Sequence, residues 1–201
     1  MPDSGIRAAQ PPAIRHSSRT VLDESSRPSA APPEAPLRGT GVSAGSHLVD
    51  VHDHYRQELA QVRDVLAQVR DGAAGAVGVA EARATINAMT IRANNWTLGG
   101  ICQAQCLSLT THHTMEDGSI FGHLGRRDPD LKPVLARLSE EHVAIHHVLE
   151  EIDAALIHLV RNAGDYSRVT EAIDLLTDTL LSHFAYEERE LIGPLARFGF
   201  F

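Results

Sequence analysis

Ile173-Asp174-Leu175-Leu176-Thr177-Asp178-Thr179-Leu180-Leu181-Ser182-His183-Phe184-Ala185-Tyr186-Glu187-Glu188-Arg189-Glu190-Leu191 decides the fold of this chain. Ile173, Leu176, Leu180 and Leu191 recur at helical spacing, and His183 and Glu187 lie on the same stripe. An imidazole and a carboxylate in place of apolar residues on a buried face are costly unless they are paired or ligated. On a solvated face the same pair would be an ordinary contact worth about 0.2–0.5 kcal/mol.

The same logic recurs on two more segments. His112 and Glu116 lie between Leu109 and Ile120-Phe121, with His113 and Asp117 forming an equally spaced pair one residue on. The 112/116 register copies the relation of His183 and Glu187 to Leu191 and Ile192; His113 and Asp117 then surround the first pair or face water. His142 and His146 lie between Leu135, Leu138, Leu149 and Ile152, with His147 off that register. Upstream, Val51-His52-Asp53-His54 offers two histidines to one position. His52 falls about 60° and His54 about 100° from the centre of its apolar stripe, so His52 is the better inward candidate. Groups four apart on a helix sit about 6 Å apart along the axis and can aim at one point. Such pairs on successive helices have the geometry of a two-metal site inside a bundle.

Outward from these pairs the pattern stays helical. Leu48, Val51, Tyr55, Leu59, Val62 and Leu66 mark a first helix. Gly72 to Gly78 reads as a loop, with a short helix at about 79–93 and a longer one at 96–123, weak at Gly99-Gly100. Arg127-Asp128-Pro129-Asp130 is a turn, and helices at 131–160 and 169–191 follow, the last stopped near Gly193-Pro194. No strand-period segment appears. The expectation is an all-α, up-and-down antiparallel four-helix bundle over 47–201. Residues 1–46, which hold seven of the ten prolines, are expected to form a disordered tail.

The bulk numbers narrow the function. A formal charge of −8 over 201 residues argues against nucleic acid, and no apolar run is long enough for a membrane. The first residues lack a secretory layout, and two thiols, Cys102 and Cys106, do not make a disulfide framework. A cytoplasmic, reducing setting fits. Twelve histidines, eleven at or after His47, stand out.

The pattern His … His-x-x-x-Glu … His-x-x-x-His … His-x-x-x-Glu resembles the hemerythrin-like HHE cation-binding family, over roughly 48–198. The phrases His112-His113-Thr114-Met115-Glu116-Asp117 and His183-Phe184-Ala185-Tyr186-Glu187-Glu188 carry most of the likeness. The resemblance implies two non-haem iron ions, with manganese as an alternative, held by His52, His112, His142, His146 and His183 and bridged by Glu116 and Glu187. It assigns His142, His146 and His183 to one iron and His52 and His112 to the other, which keeps an open position. The last helix has glutamate at the four-residue spacing, where invertebrate oxygen carriers have aspartate one residue later. Glycines at 122 and 193 stand where many relatives have proline.

The open position implies a small partner: O2, H2O2 or NO. One reading is an enzyme that decomposes peroxide or does related redox chemistry with a reductant the sequence does not name. Another is reversible binding or sensing of O2 or NO, and a third is iron sensing or storage. Tyr55, His54, His113 and His147 as proton sources favour the first. A metal-free reading, with the histidines as a pH-sensitive partner face, predicts stability indifferent to chelators.

Overall fold

The computed structural model describes residues 8–10, 14–30, 42–74 and 81–200, with side chains excepted at 42–43, 71–74 and 81–97. Apolar spacing becomes five α-helices: α1 (Val42–Ala74), α2 (Glu81–Met115), α3 (Phe121–Arg127), α4 (Lys132–Arg161) and α5 (Ser167–Phe198). A π-helical turn, Glu116–Ile120, joins α2 to α3, and a 3-10 turn, Pro129–Leu131, leads into α4. No strand occurs among the described residues. The four long helices form a ring in which α1 packs on α2 and α5, and α4 packs on α2 and α5.

α4 shows how the ring is driven. Val134, Leu135, Leu138, Glu141, His142, Ile145, Leu149, Ile152, Ala155 and Leu159 are all buried on one flank, at helical spacing. The apolar residues of that stripe fall into two clusters. One holds Tyr55, Leu59, Val62 and Leu66 of α1, Leu98 and Leu109 of α2, Ile145, Ile152 and Leu159 of α4, and Val169, Ile173 and Leu180 of α5. The other holds Leu48, Phe121, Leu124, Leu131, Leu138, Tyr186, Leu191 and Leu195. Leu48 packs with the far end of α5 and Leu66 with its start, which makes α1 and α5 antiparallel; α4 and α5 are related in the same way. The break between the clusters comes where the histidine and glutamate pairs lie.

Local chemistry sets the ends. Asp128 accepts from the Asp130 amide at 3.2 Å, and Pro129 follows it, so the Arg127–Asp130 turn forms as expected. α5 continues past Pro194 to Phe198 and stops at Gly199, whose φ of 68° suits glycine. The sequence places that stop near Gly193-Pro194. A proline removes one helical hydrogen bond, and burial of Leu191 and Leu195 in the second cluster outweighs that loss. α2 likewise runs unbroken through 93–96 and Gly99-Gly100, at a cost of about 1 kcal/mol per glycine. At Gly45 a Cβ would lie 3.0 Å from the Ile192 carbonyl oxygen, so glycine lets α1 approach α5 closely. Residues 75–78 of the expected loop and the Trp96 side chain lie outside the described residues.

The tail differs from expectation where it is described. Residues 14–30 run along α5, with Ser17 and Leu22 buried. Hydrogen bonds attach them more than apolar area does, which is why composition did not foretell it. The His16 and Ser17 amides donate to Asp178 at 2.7 and 2.8 Å, and Tyr186 donates from its hydroxyl to the Pro28 carbonyl at 2.8 Å. The remaining tail positions, 1–7, 11–13 and 31–41, lie outside the described residues. None of the described helices is long and apolar enough to cross a membrane.

Candidate metal centre

Each long helix delivers at least one polar side chain to the region between the two apolar clusters. His52, from α1, is fully buried, while His54 is exposed and pairs with Glu58 at 3.1 Å. α2 supplies both His112 and His113, and Glu116 opens the π turn. α4 supplies His142, and α5 supplies His183 and Glu187, both fully buried.

Two groups of donors result. In one, His113, His142 and His183 each bring an atom within 4.8 Å of the others; in the second, His52, His112, Glu116 and Glu187 do so. The two carboxylates reach across both. Glu116 lies 3.2 Å from His112 Nε2 through Oε1 and 3.6 Å from His142 Nε2 through Oε2. Glu187 Oε2 lies 3.4 Å from His52 Nε2 and 3.6 Å from His183 Nε2. The ring of His113 stacks on that of His142 at 4.1 Å.

The structure thus gathers His52, His112, Glu116, His142, His183 and Glu187, and it leaves His146 outside. The His146 side chain is 57% exposed and faces Glu150 at 3.7 Å. Four residues on from His142, it is turned about 40° from the inward line, while Ile145 takes the buried place. His113 stands where His146 was expected. Adjacent residues differ by about 100° around a helix. α2 sits between α1 and α4, so His112 turns toward α1 and His113 toward α4. Treating 112 and 113 as rival registers hid this; a helix flanked by two partners can use both.

Carboxylates outside the cluster hold three rings by their other nitrogen. His52 Nδ1 bonds Glu188 at 2.9 Å, His142 Nδ1 bonds Asp117 at 3.1 Å, and His183 Nδ1 bonds Glu141 at 3.0 Å. Each bond turns Nε2 inward and fixes the ring, the usual support of a metal-ligating histidine. Asp117 was foreseen beside the first pair; Glu141 and Glu188 were not. Glu141 lies one residue before His142, and Glu188 one after Glu187. Both sit close enough in sequence to the inward positions that a wheel drawn with two neighbours would have found them.

What remains inside the cluster makes no hydrogen bond. The Nε2 atoms of His52, His112, His113, His142 and His183 and both carboxylate oxygens of Glu116 and Glu187 are buried without a hydrogen bond. Leaving that many polar atoms unsatisfied is costly, and each such group calls for a structural reason. The proton balance carries the same strain. Burial, with smaller effects from neighbouring charges, pushes His112 down to about 3, and it pushes His113 well below its ordinary value. Burial, then the Glu187 charge, pushes Glu116 well above the usual carboxylate range. For Glu187 burial acts upward, but the His52 contact together with the charges of His52, His183 and His142 outweighs it and holds the group low. His52 is raised, since its contacts with Glu187 and Glu188 together exceed a strong burial effect. Three imidazoles held below their ordinary value, beside two carboxylates pushed in opposite directions, converge as the donors of a cation site do.

A family model described as Hemerythrin HHE cation binding domain matches residues 43–196. The chain belongs to the hemerythrin HHE family. Neither curated proteins nor solved structures give a match. The HHE description fits the cluster. Imidazole and carboxylate donors without thiolate suit a metal cation. Cys102 and Cys106 are free thiols outside the cluster, and burial pushes the Cys102 thiol up to about 12, where it is inert.

An open groove of about 200 Å³ between α2 and α4 is lined by Thr110, His113, Asp117, His142, His146 and Leu149. His146 therefore edges a way toward His113 and His142 without joining them. The other proton sources read from the sequence are also displaced. His147 is exposed, and the Tyr55 hydroxyl donates to the Ser108 carbonyl at 3.1 Å.

Proposed function

We propose that this HHE protein holds two iron ions between His113, His142 and His183 on one side and His52 and His112 on the other. Glu116 and Glu187 are shared between them. The observation that carries this reading is the convergence of five buried, unpartnered Nε2 atoms on four unpartnered carboxylate oxygens. Iron there would supply a redox-active, Lewis-acidic position for a small ligand.

The protein's own groups set where that ligand binds. With both carboxylates shared, the side of His52 and His112 would offer a metal one imidazole fewer than the side of His113, His142 and His183, and would leave room there for a small ligand. Phe184 stacks on His52 at 4.1 Å, and Tyr55 lies 5.3 Å from His112, so the surroundings are largely apolar. The one proton of Tyr55 is committed to Ser108, and His54 and His147 face solvent. Among the described residues, these apolar surroundings and the committed Tyr55 hydroxyl favour reversible binding of dioxygen or nitric oxide, for sensing or storage, over peroxide turnover. The groove at His113 and His142 supports peroxide decomposition as a second reading, because it gives water, and with it protons, a path to the cluster.

The test is ferrous protein prepared without oxygen, then exposed to dioxygen or nitric oxide. Reversible binding predicts an optical adduct that disappears under argon with the iron still ferrous. Steady peroxide consumption that vanishes in His112→Ala would establish turnover instead. Metal analysis showing no bound iron would end both.

A further inference from the structure

The face of α5 that points away from the bundle is not left to water. Thr177, Asp178, Thr179, Ser182 and Glu190 are all buried. The segment before the family-matched region, which starts at 43, covers it. It meets α5 near residue 188, passes Asp178, and returns along the other edge. The Ala9 amide donates to Glu188 Oε2 at 2.7 Å. Glu24 accepts from Ser182 at 2.8 Å, and the Ala30 amide donates to Glu190 at 2.8 Å.

Two of its contacts fall on the carboxylates that hold the histidines. Arg27 meets Glu141 in a two-pronged pair, Nε to Oε1 at 2.7 Å and Nη2 to Oε2 at 2.9 Å. The same Oε2 accepts from His183 Nδ1 at 3.0 Å. The Arg27 Nη1 also donates to the Ser182 hydroxyl at 3.0 Å, which ties the guanidinium to α5. Both side chains are nearly closed to solvent, at 8% and 1% exposure. On the opposite edge, Glu188 bonds His52 Nδ1 at 2.9 Å and Arg56 at 2.7 Å, and Ala9 occupies its other oxygen.

A fork-shaped guanidinium fixes the plane of a carboxylate, as a point charge does not. With that plane fixed, Glu141 Oε2 stays aimed at His183. Arg137, 3.3 Å from Glu141 Oε1, neutralises charge but contacts only the oxygen that does not face the histidine.

We propose that residues 8–10 and 14–30 act as a strap that sets the outer support of the metal centre, with Arg27 the positioning residue for His183 and the Ala9 amide the corresponding group for His52. This rests on the metal reading above and adds a part to it that lies outside the family domain. One arm ends behind each donor group, so the strap links both halves of the centre.

The test uses the full chain loaded with ferrous iron, comparing wild type with Arg27→Ala, Arg27→Lys and Arg19→Ala. Arg19 joins the strap to Glu151 at 2.7 Å on the exposed side and touches no histidine support. The first readout is iron release to excess chelator, the second the optical spectrum of the ferric form. Removing the outer partner of a ligating histidine weakens metal holding by about 10–100-fold. Arg27→Ala is therefore expected to release iron about tenfold faster or more, with a shifted spectrum. Arg27→Lys falls between, because it keeps the charge and loses the fork, and Arg19→Ala behaves as wild type.

The third readout needs no metal: the His183 Nδ1 proton exchanges slowly with solvent in wild type and fast in Arg27→Ala. Unchanged release, spectrum and exchange in Arg27→Ala would overturn the proposal. So would equal effects from Arg19→Ala, which would make the strap a general cover. Wild type that binds no iron would fail the metal reading, while the exchange experiment would still decide the positioning role.

Discussion

Replacing His113 by leucine should change stability in opposite directions with and without metal. In the metal-free chain the His113 Nε2 is buried and unpartnered. A buried polar group left unsatisfied costs about 1–3 kcal/mol, and leucine is close enough in size to fill the space between His142 and His183. The stacked ring of His142 at 4.1 Å and the edge of His183 at 5.5 Å bound that space. Metal-free His113→Leu is thus expected to gain about 1–3 kcal/mol. At about 2–4 °C per kcal/mol for a chain of this size, the melting temperature rises by several degrees. With metal the sign reverses. One of the three nitrogens of that group is lost, so the stabilisation that binding adds to folding shrinks.

The assay is thermal unfolding with and without chelator, alongside metal analysis. Wild type should carry two metals and His113→Leu one. His146→Leu, altering a side chain that is 57% exposed, should keep both metals and stay within about 0.5 kcal/mol. If His146→Leu lost a metal and His113→Leu kept two, the donor grouping seen here would be refuted.

Acidification supplies a second check. His112, His113 and His183 are held below their ordinary value, by burial first. The unfolded chain then binds protons that the folded chain refuses, so metal-free stability falls as pH drops from about 6.5, by up to about 1.4 kcal/mol per pH unit for each. Glu116, held high, works in the other direction above about pH 4.3, as does His52 above about 6.5, and three groups against one keep the sign between those limits. Denaturant melts of the chelated protein at pH 7 and 5.5 measure it, and greater stability at 5.5 would contradict it. In the core, Ile145→Ala should cost about 2–5 kcal/mol in the same melts, because the side chain is fully buried. A loss below 1 kcal/mol would mean that α4 is turned differently.

How much could be read in advance differs by residue. His183 and Glu187 share a stripe with Leu180 and Leu191, and that stripe admits one inward face, so their placement was legible. His52 was separable from His54 by angle alone for the same reason. The choice between His113 and His146 was not legible, because spacing on one helix says nothing about which neighbours flank it. The packing of residues 14–30 was not legible for another reason: their contacts include hydrogen bonds to Asp178, Glu141 and Glu190, and composition measures apolar content.

Periodicity along a single helix is a local property, set by about 3.6 residues per turn, and it already contains the bundle and most of the donors. Which ring turns toward which donor group, and which carboxylate stands behind it, depends on the distances between helices. His113 enters because α2 lies between α1 and α4, His146 leaves because Ile145 takes the buried place, and Arg27 reaches Glu141 only after 114 residues of chain have folded back. Those are relations between elements far apart in sequence, and they exist only once the helices have packed.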